Sequence, residues 1–115
     1  MAQVIHQQDV TIVELDASYE SIALDPLEQL ADLLFGEIGA MSPPRLVLDM
    51  SKTRYIDSMF IETVFRAWKR IQERKGKMAL CCPNEMCAQV LTITNLNKLW
   101  PVCATREEAV RVARG

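Results

Sequence analysis

Hydrophobic positions along this chain change their period several times, and each change marks an element. Residues 3–7 and 10–15 are short β-like runs. Val10 and Ile12 alternate with polar neighbours, and Gln8-Asp9 between the runs suits a hairpin turn. Residues 16–21 are polar and read as a connection. Asp25-Pro26 then has the form of a helix start, with Asp25 as N-cap and Pro26 in the first helical position. Leu27, Leu30, Leu34 and Ile38 follow at helical spacing with Leu33 beside them. Gly36 and Gly39 weaken the end of that helix, and the MSPP segment 41–44 breaks the chain.

Residues 45–50 (RLVLDM) form a nearly continuous apolar run of strand length, the pattern of a central strand covered on both faces. A connection over 51–57 is expected to turn Tyr55 and Ile56 inward. The next helix, over 58–75, places Ile61, Val64, Phe65, Trp68 and Ile71 on one stripe, with Glu62, Arg66, Lys69, Arg70 and Glu73 elsewhere. Gly76 follows as a stop, and Arg74 and Lys75 suit the negative helix end. Residues 77–82 are the next strand, closed by Pro83. Asn84 caps a helix carrying Met86, Val90, Leu91 and Ile93 to about Thr94. Residues 95–97 turn, and 100–103 make a last strand whose Pro101 suits a sheet edge. Thr105, with Glu108 three residues on, opens a final helix in the capping-box pattern. The resulting order, β-β-α-β-α-β-α-β-α, predicts an α/β fold. One domain over 1–115 would hold a mixed, mostly parallel sheet of four to five strands with about four helices.

Composition narrows the function classes. The 115 residues are 50% hydrophobic and 24% charged, as in ordinary globular domains, with a net charge of -2 that lacks the basic excess of a nucleic-acid binder. No apolar run reaches the ~18 residues of a membrane span. The first residues lack the basic-then-apolar layout of a secretory signal, so a cytoplasmic location without membrane insertion is expected. Cys81, Cys82, Cys87 and Cys103 are then expected as free thiols. A zinc site is not expected from them: adjacent Cys81 and Cys82 should point to opposite faces of a strand, and no second pair repeats the spacing. His6 is the only histidine, and the four glycines are not grouped into a phosphate loop. Trp68 and Trp100 sit at apolar positions and read as core. Neither a catalytic site nor a cofactor is expected.

Asp57-Ser58 is the exception to this plainness. A helix N-terminus exposes unpaired N–H groups and about half a positive charge. Ser58 there can cap the helix through its oxygen while staying in reach of solvent, and a phosphate on it would add about -1.5 to -2 charges where the helix tolerates an anion. A partner bringing a carboxylate or an apolar surface would be repelled, the more so beside Asp57. The plainer reading makes Asp57 or Ser58 simply an N-cap worth about 0.5–2 kcal/mol. Phe60 has no place on the apolar stripe. It either joins Met59 in an exposed docking patch or tucks under the preceding loop.

The segments LVLDMS (46–51) and YIDS (55–58) resemble the STAS family of sulphate transporters and anti-sigma factor antagonists. An apolar strand ending in Asp, a short link and an Asp-Ser pair opening a long helix are that family's pattern. The resemblance continues through GKMAL (76–80), VLTITNL (90–96), LWPV (99–102) and TREEA (105–109), while the first 44 residues agree in element order alone. It implies a non-catalytic partner-switching module with Ser58 as phosphate acceptor. The partner would be an anti-sigma factor resembling a serine-kinase ATPase, which supplies the ATP and the transfer chemistry. Asp57, Ser58, Met59, Phe60 and Glu62 would form the partner surface. Phe60 and Glu62 stand where family antagonists usually carry glycine, which leaves a second function open: a constitutive STAS accessory subunit of an ABC-type lipid-transport ATPase. A weaker third is an enzyme using a cysteine.

Overall fold

The computed structural model describes residues 2–19 and 24–115. Residues 20–21 of the expected connection, and the capping role expected of the Asp25 side chain, fall outside the described residues. The strands are β1 Gln3–Gln7, β2 Val10–Glu14, β3 Ser18–Tyr19, β4 Arg45–Asp49, β5 Tyr55–Ile56, β6 Lys77–Cys81 and β7 Val102–Cys103. The helices are α1 Leu24–Ala40, α2 Ser58–Glu73, α3 Glu85–Ile93 and α4 Arg106–Arg114, with a 3-10 turn at Leu96–Lys98.

Five strands form one sheet in the order β1-β2-β4-β6-β7. The β1–β2 hairpin is antiparallel, with Gln7 opposite Val10 and the turn at Gln8 left-handed (φ 57°). The other pairs are parallel, with Ile12 beside Val47, Val47 beside Ala79, and Cys81 beside Cys103. Outside this sheet, β3 pairs in parallel with β5, bringing Ser18 beside Tyr55 and Tyr19 beside Ile56. Both segments read from sequence as plain connections. Their pairing leaves Tyr55 47% exposed instead of packed inward, while Ile56 is buried. The last strand is shorter than expected, since Trp100 and Pro101 precede β7.

Each face of the sheet has its own core, which explains the unbroken apolar run of β4. Leu46 and Leu48 join Leu30, Leu34 and Ile38 of α1, Phe60, Val64, Ala67 and Ile71 of α2, and Leu91 and Trp100. Val47 joins Val10, Ile12, Ala79, Cys81 and Cys103 on the other face, covered by Ala109, Val110 and Ala113 of α4. The buried stripe of α2 is Phe60, Thr63, Val64, Ala67 and Ile71. Ile61, Phe65 and Trp68, expected at its centre, are half-buried along its margin. Ala67 is fully buried within this stripe, and the larger Ile61, Phe65 and Trp68 flank it.

Gly76 does more than stop α2. The left-handed residue after the helix is Lys75 (φ 60°), and Gly76 N–H closes the end on Ile71 O at 2.8 Å. A Cβ on Gly76 would lie 2.0 Å from Pro44 O, whose carbonyl accepts a hydrogen bond from Lys77 N at 2.9 Å. Glycine is required here by the close approach of two backbones, not by helix termination.

Candidate functional site

Asp57, not Ser58, caps α2. Its backbone is extended (φ -136°, ψ -171°), and its Oδ1 accepts hydrogen bonds from Met59 N (3.0 Å) and Phe60 N (3.4 Å). The expectation that the Ser58 oxygen caps is therefore corrected. Ser58 is the first helical residue and its side chain is exposed. With the cap supplied by its neighbour, the Ser58 hydroxyl is not required for the helix start.

The helix start is held from several sides. Arg54 N donates to Ala17 O (2.6 Å), and Thr53, buried, donates its hydroxyl to Asp16 O (2.8 Å). Asn84, which caps α3 by accepting from Cys87 N (2.8 Å), also donates its amide to Arg54 O (3.3 Å). Ile56 before the cap and Ile61 four residues into the helix both join the main core, the positions of a hydrophobic staple. The short β3–β5 pairing thus serves to aim Asp57-Ser58.

Phe60 is fully buried, so the docking-patch reading of its ring is corrected. Position 60 faces inward with Val64, Ala67 and Ile71 because the stripe keeps Val64 and Ile71 but runs through 60, 63 and 67 in place of 61, 65 and 68. Met59 is 38% exposed and Glu62 is exposed. The accessible surface at the helix start therefore carries Ser58, Met59, Glu62 and, unexpected from sequence, Tyr55. Beside Met59, a groove of about 410 Å³ runs between α1 and α2, with Glu28 and Asp32 on one wall and Arg66 on the other.

Sequence reasoning also missed an ionic network at the carboxyl ends of β2 and β4. Asp49 is buried at the end of β4. Its Oδ2 accepts from Arg106 Nε (2.9 Å) and Nη2 (2.7 Å), and its Oδ1 accepts from Ser51 N (2.9 Å). Arg106 Nη2 also donates to Glu14. Burial alone would raise the Asp49 carboxyl, but the Ser51 N–H and the Arg106 guanidinium outweigh it and hold the group below its ordinary value. The signals in sequence were an Asp closing an apolar strand and an Arg opening α4, but nothing in their spacing joins residues 57 apart.

All four cysteines are free thiols, with Cys81, Cys87 and Cys103 buried. Burial pushes all three of these thiols up, which suits their core positions. Cys82 departs from expectation. It lies past the end of β6 with a left-handed backbone (φ 60°), so the strand's alternation does not apply to it. The Cys81 and Cys82 sulfurs and an Asp49 carboxylate oxygen all lie within 4.8 Å of one another. The expectation of opposite-facing thiols is corrected accordingly.

An open, largely parallel sheet with an aimed Asp-Ser at a helix start, and helices on both faces, defines the class of this domain. A family model described as STAS domain matches residues 1–109. The chain belongs to the STAS domain family. The TM1081 homolog of Thermotoga neapolitana is 31% identical over 71 residues, a match spanning 62% of this chain and 63%, less than two thirds, of that protein. An anti-sigma-factor antagonist (STAS) domain protein from Planctomyces limnophilus is 28% identical, with a TM-score of 0.82 over 99% of this chain and 98% of that one. The Bacillus cell fate determinant SpoIIAA, solved in its phosphorylated form, is 18% identical, with a TM-score of 0.74 over 96% of this chain and 97% of that one. The fold is that of the anti-sigma factor antagonists.

Proposed function

We propose that this domain is a non-catalytic, phosphorylation-controlled protein-binding module, with Ser58 as phosphate acceptor. The observation that carries the reading is the exposed Ser58 at the first position of α2, where Asp57 already supplies the cap. A phosphate there sits at the positive helix end without removing any hydrogen bond that holds the helix. It places about two negative charges in the middle of the surface made by Ser58, Met59 and Glu62. The phosphorylated form of SpoIIAA, which shares the fold, supports the same reading.

The partner is an anti-sigma factor resembling a serine-kinase ATPase, which supplies ATP and carries out the transfer in the cytoplasm. No helix among the described residues is long and apolar enough to cross a membrane. Phe60 and Glu62 stand where the family resemblance leads one to expect glycine. The Phe60 ring lies in the core, so on the outer face the departure reduces to Glu62.

Incubation with ATP and the candidate kinases of its own cell, followed by mass-spectrometric mapping, is expected to place the phosphate on Ser58. Ser58→Asp is expected to weaken partner binding about tenfold or more, roughly 1.4 kcal/mol, while Ser58→Ala binds as the parent does. Equal binding by the two variants would overturn the switch. Recovery of a lipid-transport ATPase as the stable partner, with Ser58 unmodified, would select the accessory-subunit function instead.

A further inference from the structure

The carboxyl ends of β4 and β6 bring together groups that the Ser58 site does not use. Cys81 closes β6 fully buried, Asp49 lies beside it in the β4–β6 register, and Cys82 follows half-buried. Carboxyl ends of parallel strands are where open α/β sheets collect ligands. We propose that this end of the sheet binds one thiophilic divalent cation of the zinc class through Cys81 Sγ, Cys82 Sγ and an Asp49 carboxylate oxygen.

Three observations support the site. First, the geometry is close to what a tetrahedral ion needs. Ligands about 2.3 Å from zinc stand about 3.8 Å apart, so donor atoms within 4.8 Å of one another need to close by no more than about 1 Å. Cys82 is half-buried, and its thiol, which donates to Ala104 O at 3.5 Å, would exchange that weak bond for the ion. Second, Asp49 is already held in a fixed orientation, its Oδ1 accepting from the Ser51 N–H and its Oδ2 from Arg106. Arg106 stays on Oδ2 and acts as the outer partner that orients the ligand.

Third, the charges balance. Glu14 and Asp49 are offset by Arg106, which bonds both, and by Lys52, whose Nζ lies 3.9 Å from Glu14. Two thiolates would leave this cluster at minus two, which one divalent ion cancels. Binding converts two S–H groups to metal thiolates and releases two protons to solvent, so affinity rises with pH.

The test uses the full chain, reduced and stripped of metal, titrated with Co²⁺ and then with Zn²⁺ in competition with a chromophoric chelator. One equivalent of Co²⁺ is expected to give a thiolate-to-cobalt charge-transfer band, which one equivalent of Zn²⁺ displaces. Cys82→Ser is expected to remove the band and to weaken Zn²⁺ binding by at least tenfold. Cys87→Ser, a change at a thiol on α3 near Thr53, is expected to leave both unchanged. Circular dichroism of each variant confirms that it is folded. Absence of a thiolate band, a band that survives Cys82→Ser, or equal losses from the Cys82 and Cys87 variants would overturn the site.

Discussion

Phe60 and Glu62 occupy positions two residues apart on α2, and their fates are opposite. A helix turns about 200° between them, so a residue on the buried stripe is followed two positions later by one facing water. Phe60 fills space between α2 and the sheet, and truncating it leaves a cavity. Phe60→Ala is expected to cost about 3–5 kcal/mol in urea unfolding, while Glu62→Ala stays within about 0.5 kcal/mol of the parent. Under the proposed function, partner binding by the folded variants is expected to show the reverse order, since Glu62 lies on the outer surface near Ser58. The same scale explains Asp57 and Ser58. Their adjacent oxygens compete for one cap, and the extended backbone of residue 57 gives it to the aspartate.

Among the elements, α4 has the most to hold, because among the described residues it is the helix that covers the second face of the sheet. Its first residue, Arg106, places a positive charge at a positive helix end, which is unfavourable by itself. The carboxylates of Asp49 and Glu14 offset this and tie the helix start to β4 and β2. Asp49 titrates below its ordinary value of 3.8 in the folded chain, so as the pH falls the unfolded chain takes up this proton first. The stabilisation from this group is complete above the unfolded value and disappears as the pH drops through the lower, folded one. Chemical denaturation between neutral pH and about pH 2 is expected to show a loss of stability beginning near pH 4. Asp49→Asn, which lacks this titration, starts less stable and loses less on acidification. A parallel pair of curves would contradict the network's role.

Across the whole molecule the two cores are unequal. The first is built from large side chains of α1, α2 and α3 with Trp100. The second pairs β-strand Val, Ile, Ala and Cys with the alanines of α4. Close packing on the second face depends on Ala109 and Ala113, both fully buried. Ala109→Leu is expected to destabilise by about 1–3 kcal/mol, read as a lowered thermal midpoint, because the helix must lift from the sheet. The Ser58 site lies at the start of α2, on the other face. The same variant is therefore expected to keep its partner affinity at temperatures where it is folded.

The order of the helices and of the five main-sheet strands, the central position of β4, and the caps at Asn84 and Thr105 were legible in the chain itself. Each rests on local chemistry: an unbroken apolar run, a side-chain oxygen three residues from the N–H it accepts, a proline where pairing stops. The Asp-Ser position at the head of a long helix was legible for the same reason. Three features were not. Which of Asp57 and Ser58 caps depends on a backbone angle set by the β3–β5 pairing, between segments 37 residues apart. The side of α2 that is buried depends on how the helix packs against α1 and the sheet, a matter of tertiary packing that a stripe of large residues misreports. The meeting of Asp49 with Arg106 requires the assembled sheet and α4, and that of Asp49 with Cys81 and Cys82 requires the parallel register of β4 and β6 and the left-handed backbone at Cys82. Periodicity specifies what a segment becomes, because it acts within a few residues. Distances between segments are set only when the sheet assembles.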